Sequence, residues 1–290
     1  MTAPAPEHPQ ADGTTAASAP WRARAKEILT RPLLVIGVVI LAVYLLVALI
    51  APTFLPDPLA TGASSMQPPS SEHWFGTDRF GRDVFARSVA AIRLDLTVGL
   101  TIAAIALVVG SIFGVIAGYW GGWVDEIVMR VTDVLLAFPG FVLALIIAAA
   151  LGDSVRNVII AVAVAYTPHF VRLTRAQVLA VRELEFVDAA RVTGNRPFRV
   201  AFRHVLPNSL RPAMVQGTLV TGWAILDVAG LAFLGVGIAP PTAEWGVMVA
   251  EGANDVVSGF WWTSLFPGAM IVLAVAAFHL IGDELEGQLR

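Results

Sequence analysis

Cysteine is absent from these 290 residues, which excludes disulfides, thiolate metal sites and cysteine nucleophiles and leaves the redox compartment open. Lysine is nearly absent too: Lys26 stands alone beside eighteen arginines, a bias that, with heavy Ala, Gly and Pro use, fits a GC-rich bacterial genome. Charge is scarce. Only 14% of residues are charged, against roughly a quarter in soluble domains. Nothing matches G-x-x-x-x-G-K-S/T, so no P-loop is expected and any ATP must be bound by another chain. The five histidines, at 8, 73, 169, 204 and 279, have no partner at ligand spacing, so no metal site is read from them. Neither a Ser-His-Asp arrangement nor paired catalytic carboxylates can be assembled, and the chain is expected to be neither an enzyme nor the holder of a cofactor. Nothing in its charge pattern supports nucleic acid binding.

What is present is apolar. Hydrophobic residues make up 57% of the chain and mean hydropathy is +0.73, the composition of an integral membrane protein. Residues 1–20 have little to bury and are expected to be disordered, within a cytoplasmic tail of 1–31. An uncharged run at 32–56 follows Arg22, Arg24, Lys26 and Arg31. A signal peptide shares that basic-then-apolar order, but this run is too long and starts too late. Further runs at 96–119, 134–151, 158–171, 213–238 and 264–281 give six spanning helices, an all-α polytopic fold. The fourth is short for the ~20 residues a bilayer requires and must extend past Arg172 or begin near Asp153. The resulting division is a first span at 32–56, an extracytoplasmic loop at 57–95, a five-helix core at 96–282 with a cytoplasmic loop at 172–211, and a tail at 283–290.

Arginine placement orients the chain, since basic residues near span ends stay cytoplasmic. With both termini inside, the cytoplasm holds the N-terminal cluster, Arg130, the group from Arg172 to Arg211, and Arg290, leaving Arg79, Arg82, Arg87, Arg93 and Arg156 outside. The first outer loop can tolerate its arginines through pairing with Asp78, Asp83 and Asp95. Gly110, Gly114 and Gly118 form a small-residue stripe suited to close helix approach. Asp227 lies inside an apolar run, where a carboxylate must face protein or water; it reads as a contact of the translocation path or as a hydrogen bond locking helices together. Trp245, Trp261 and Trp262 bracket the last outer loop in the manner of an interfacial belt. That loop holds Glu244, Glu251 and Asp255 and no base, and is expected to help face a pore or a docked partner.

The most informative stretch is 185–207, EFVDAARVTGNRPFRVAFRHVLP, a polar, Arg-rich insert between apolar runs. Glu185 favours a helix N-terminus, Ala189 and Ala190 keep one face flat, and Gly194 can take the left-handed conformation that ends a helix, with Pro197 preventing its continuation. Residue types alone fit either a rigid contact with a motor or an interfacial hairpin with Arg facing phospholipid heads.

This segment resembles the EAA loop of permease subunits of bacterial ABC importers. Beyond it, HWFGTDRFGRDVFAR at 73–87, YTPHFVRLTRAQVLAVRELEFVDAARVTGN at 166–195, AILDVAGLAFLGVG at 224–237 with PPTAEWGVMV just after it, and FPGAMIVLAVAAFHLIGDELEGQL at 266–289 are similar to blocks of the dipeptide, oligopeptide and nickel importer permeases, specifically their C-type subunit. Together they cover nearly everything from Leu33 onward. Two departures stand out: Asp227 replaces the family's usual Glu, and the C-terminal tail is shorter.

The resemblance implies a type I ABC importer permease in a bacterial cell membrane. It also implies a second homologous permease subunit, two cytoplasmic ATPase subunits and an extracytoplasmic substrate-binding protein. Glu185, Asp188, Ala189, Ala190, Arg191, Gly194, Arg203 and Pro207 would couple to the ATPase, with Asp227, Glu244 and Trp245 as candidates for the translocation path or gate. Peptide is the expected cargo, with nickel chelates or glutathione as alternatives. The rival class is an ATP-independent secondary transporter, which inverted repeats would favour; none is visible.

Overall fold

In a computed structural model the described residues are 31–62 and 64–287; the expected disordered tail lies outside them except for Arg31, as does the end of the C-terminal tail. The described chain is helical. Helix α1 is Pro32–Ile50, followed by a 3-10 turn at Ala51–Thr53; α2 is Val84–Trp120, α3 Gly122–Leu136, α4 Gly140–Leu151 and α5 Val155–Val181. Then come α6, Glu185–Val192, a helical segment made of Pro197–Arg199, a π turn at Val200–Val205 and Leu206–Ser209, and finally α7, Arg211–Phe233, α8, Trp245–Val257, and α9, Trp262–Gly287.

Five of these helices, α1, α2, α5, α7 and α9, are long and apolar enough to cross a membrane, and α3 with α4 makes a sixth if that bent pair is one span. The expected run at 134–151 is therefore not one straight helix. The chain turns by 89° between α3 and α4, where Pro139 lacks the N–H that would continue the ladder and forces its predecessor away from helical geometry. The fourth span resolves its length by extending at both ends, from Val155 to Val181. Ser154 opens it by accepting from the Asn157 N–H at 3.1 Å.

Helix α2 begins at Val84 rather than near residue 96. Asp83 caps it, accepting from the Ala86 N–H at 2.8 Å. At 1.5 Å per residue it is about 55 Å long, well beyond the ~30 Å of a hydrocarbon core, so its first turns can carry Arg87, Arg93 and Asp95. Its far half packs along α5, and the glycine stripe explains how closely. A Cβ at Gly110 would overlap the Phe170 side chain, one at Gly114 would stand 2.7 Å from Thr174 Cβ, and one at Gly118 2.8 Å from Val178 Cγ1. The four-residue repeats of the two helices interlock. Ser111 and Thr174 share a buried hydrogen bond of 3.2 Å across the same seam.

Helix α1 leans on α9. Gly37 permits the contact, since a Cβ there would sit 2.8 Å from the Ala277 carbonyl oxygen, and Arg31 pairs with Glu284 at 3.0 Å to fix the ends. Leu34, Tyr44 and Ala48 are buried as well, and the Tyr44 hydroxyl donates to the Met270 carbonyl at 2.9 Å, while the opposite face of α1 is apolar and exposed, with Leu46 and Leu49 projecting outward. The main core gathers Val98, Ile102, Val158, Val162, Val228 and Leu231 from α2, α5 and α7.

Candidate functional site

The arm between α5 and α7 is built on its own small core. Val187 and Ala190 of α6 turn inward against Val200, Ala201 and Val205, with Val115 of α2 and Val178 of α5 beneath them. Ala190 is thus a packing residue, whereas Ala189 stays exposed on the outer face. Alongside it Glu185, Asp188 and Arg191 also face outward. Asp188 accepts from Arg191 at 2.8 Å, and the Arg191 guanidinium lies 5.8 Å from the Tyr119 ring centroid.

The helix ends as its sequence dictates. Gly194 has φ +80°, and a Cβ there would meet nothing within 4 Å, so the residue is needed for its backbone and not for space. The Gly194 N–H donates to the Arg191 carbonyl at 3.0 Å, and Asn195 donates from Nδ2 to the Ala190 carbonyl at 2.9 Å. Pro197 then starts the return segment. Pro207, exposed with Arg203, offers no N–H to close a regular turn on Arg203, and the preceding residues widen into the π turn. Arg182 Nη1 donates to the Gly118 carbonyl at 2.7 Å, tying the arm's root to the end of α2.

Sequence reading missed a second feature of this arm. Phe186, Val192 and Phe198 are large apolar side chains left exposed around the turn, with Val192 at 88% and Phe198 at 64%. Phe198 stacks on Phe202, 4.4 Å away between centroids, with the Trp120 ring tilted against it at 6.4 Å. Their signal was available as apolar positions within a polar insert, but α6 is only eight residues long and shows its two faces only when folded.

The three residues read as path or gate candidates do not share a surface. Asp227 accepts from the Tyr166 hydroxyl at 2.7 Å, linking α7 to α5, which is the helix-locking arrangement. Glu244 and Trp245 are buried at 1% and 0% exposure. Glu244 accepts from the Val247 N–H at 2.6 Å and so caps α8. The Trp245 N–H donates to Asp95 at 3.2 Å and its indole Nε1 to the Ser88 carbonyl at 2.9 Å. Burial pushes the Glu244 carboxyl up to about 7.

The acids of the last outer loop bond groups of the chain itself: Glu244 caps α8, Glu251 pairs with Arg82 and Arg87, and Asp255 pairs with Arg79. Asp78 accepts from Arg82 Nε at 2.6 Å and Arg87 Nη1 at 2.8 Å, while Glu251 accepts from Arg82 at 3.1 Å and Arg87 at 2.8 Å. Two arginines at 4% and 2% side-chain exposure are thereby neutralised by two carboxylates. Arg79 adds bonds to the Glu251 carbonyl and to Asp255. The arginines of the first outer loop therefore pair chiefly with Asp78 and with α8. Asp83 bonds His73 at 2.8 Å, and Asp95 serves Trp245.

These arrangements define a polytopic helical membrane protein with a separately packed polar arm between its spans. The chain belongs to the family described as the binding-protein-dependent transport system inner membrane component, which matches residues 110–289. Among curated relatives, the chain is 42% identical to the dipeptide transport system permease protein DppC of Alkalihalophilus pseudofirmus, with 100% of this chain and 95% of that one covered. It is also 42% identical to the probable D,D-dipeptide transport system permease protein DdpC of Escherichia coli, covering 87% and 85%. With the glutathione transport system permease protein GsiD of Pectobacterium atrosepticum the identity is 40%, covering 76% and 73%. In fold, it is similar to the crystal structure of an amino acid ABC transporter with histidines, at TM-score 0.51 and 12% identity over 70% of this chain and 94% of that one.

Proposed function

We propose that this chain forms half of the translocation unit of an ATP-driven importer of di- or oligopeptides, and that the arm at 185–207 docks on a cytoplasmic ATPase. The carrying observation is the apolar set Phe186, Val192 and Phe198, exposed on an arm held rigid by its own core. A lipid-facing hairpin would direct such side chains and its arginines to one bilayer surface; here Asp188 and Glu185 share the outer face with them, which suits a protein groove better.

In this reading Glu185, Asp188, Ala189 and Arg191 contribute the polar contacts. Gly194 sets the turn, Ala190 holds α6 on its base, and Arg203 and Pro207 shape the return. Both termini lie in the cytoplasm of a bacterial cell. A second homologous permease completes the pathway, two ATPase subunits bind beneath the pair, and an extracytoplasmic binding protein delivers the cargo. ATP binds more tightly to the closed ATPase pair and shifts the permeases towards the outward-facing state. Peptide cargo draws support from the names of the relatives; glutathione, named for one of them, is itself a small peptide.

The test is peptide uptake by the reconstituted complex carrying a catalytically dead ATPase. Uptake against a gradient should vanish. Its persistence would favour an ATP-independent secondary transporter.

A further inference from the structure

Where the end of α1 meets the start of α2 lies a groove of about 240 Å³. Ala48, Ala51 and Leu55 line one wall, and Ala86, Ala90 and Arg93 the other. The last three are four and three residues apart, so they share one face of α2, and Arg93 is the one charged residue of the lining. A second groove of about 210 Å³, lined by apolar side chains alone, adjoins the first. The two share Ala51 and Leu55, and the second runs onto Ile50 and Phe54, both exposed. By contrast, the groove bounded by Phe113, Val131 and Pro168 carries no charged group and selects no occupant.

Arg93 is exposed and, among the described residues, has no hydrogen-bond or ion-pair partner. The other arginines near this end of α2 are matched: Arg82 and Arg87 by Asp78 and Glu251, and Arg79 by Asp255. Asp95, two residues beyond Arg93, is buried and accepts from the Trp245 N–H. A guanidinium is a permanent cation, and at the rim of a membrane span it requires an anion or water. Its long stem lets it lie along apolar surface while the charged head reaches the headgroup level.

We propose that this groove holds an anionic phospholipid, with its phosphate on the Arg93 guanidinium and its acyl chains against the alanines between α1 and α2 and along Ile50 and Phe54. The inference goes beyond the importer reading and requires only that the chain spans a membrane. Charge and apolarity together choose the occupant. A planar guanidinium meets two phosphate oxygens through parallel hydrogen bonds, and the apolar walls favour a ligand that brings hydrocarbon out of water. The lipid then joins α1 to α2 where their own side chains leave a gap, whereas the protein's own contacts tie α1 to α9 through Gly37 and Tyr44.

The test is native mass spectrometry of the full chain, alone and with its partner subunits, offered dioleoyl phosphatidylglycerol and dioleoyl phosphatidylcholine in equal amounts. Preferential retention of phosphatidylglycerol is expected. Arg93→Gln should weaken that retention by at least about ten-fold, since it removes charge-assisted hydrogen bonds, and Arg93→Lys, which keeps the charge, should restore most of it. Ala90→Phe leaves Arg93 in place but fills the groove, and should weaken retention as well; it decides the matter if Arg93→Gln fails to assemble. Glycerol 1-phosphate, which has the phosphate without the chains, should not displace the lipid. Equal retention of the two lipids, or retention indifferent to both Arg93→Gln and Ala90→Phe, overturns the site. Displacement by glycerol 1-phosphate reduces it to a site for soluble anions and overturns it equally. Retention by the chain alone but not by the assembly assigns this face to a partner subunit, which also overturns it.

Discussion

Gly246 leaves no room for a Cβ, because the added atom would overlap the Ala229 backbone of α7 and no rotamer change can relieve it. Gly246→Ala should destabilise the fold by about 1–3 kcal/mol, read as a lower thermal midpoint of the purified protein; an unchanged midpoint would contradict this contact. Tyr166 acts through a single hydroxyl. Tyr166→Phe leaves Asp227 without that donor, and a double-mutant cycle with Asp227→Ala should give a coupling of about 0.6 kcal/mol, the mean between membrane helices, and at most about 1.7 kcal/mol. Glu244 titrates where it can be observed. Its carboxyl is raised to about 7 by burial, so the folded protein holds the proton more tightly than the unfolded chain does. That contribution is full below the ordinary value of 4.5 and is lost as pH rises through 7. Stability should therefore fall between pH 5 and pH 8, and Glu244→Gln should reduce the fall. An equally steep fall in the variant would remove Glu244 as its source.

Among the elements, the outer end of α2 and α8 depend on one another through Asp78, Arg82, Arg87 and Glu251. Removing one member leaves a buried charge uncompensated, so Arg87→Gln should cost about 3–5 kcal/mol. Adding Glu251→Gln should recover part of it. Arg191→Ala, which breaks an exposed pair with Asp188, should change stability by no more than about 1 kcal/mol. Chemical denaturation of the four proteins separates these outcomes, and equal losses for Arg87 and Arg191 would refute the contrast. This level also divides what the sequence revealed from what it hid. Apolar runs located α1, α5, α7 and α9, because a span must be apolar wherever it meets lipid. The glycine stripe forecast a close contact, though not its partner α5. The polar start of α2 was hidden, since a helix longer than the bilayer continues into residues that hydropathy assigns to a loop. The break at Pro139 lay within an unbroken apolar run. The pairing of Arg82 and Arg87 with Glu251 joins positions far apart in the chain, which no local pattern encodes.

For the whole molecule, the arm is the part whose sequence and structure agree most closely. Helix Glu185–Val192, its left-handed stop at Gly194 and the return at Pro197 were all legible, since each follows from local backbone chemistry. The inward turn of Ala190 and the exposure of Phe186, Val192 and Phe198 were not, since they follow from what the arm packs against. Gly194 now offers a clean probe. A side chain there points into open space, and its left-handed backbone should cost only about 1–2 kcal/mol for a non-glycine residue. The permease should therefore fold and insert while its docking face is obstructed. The decisive measurement is ATP-driven peptide uptake, with ATP hydrolysis followed in the same proteoliposomes, by complexes containing Gly194→Trp. Membrane insertion at wild-type levels, with uptake abolished and ATPase subunits either lost or hydrolysing without transport, is the predicted result. Uptake at the wild-type rate would contradict the assignment of this arm as the link to the motor.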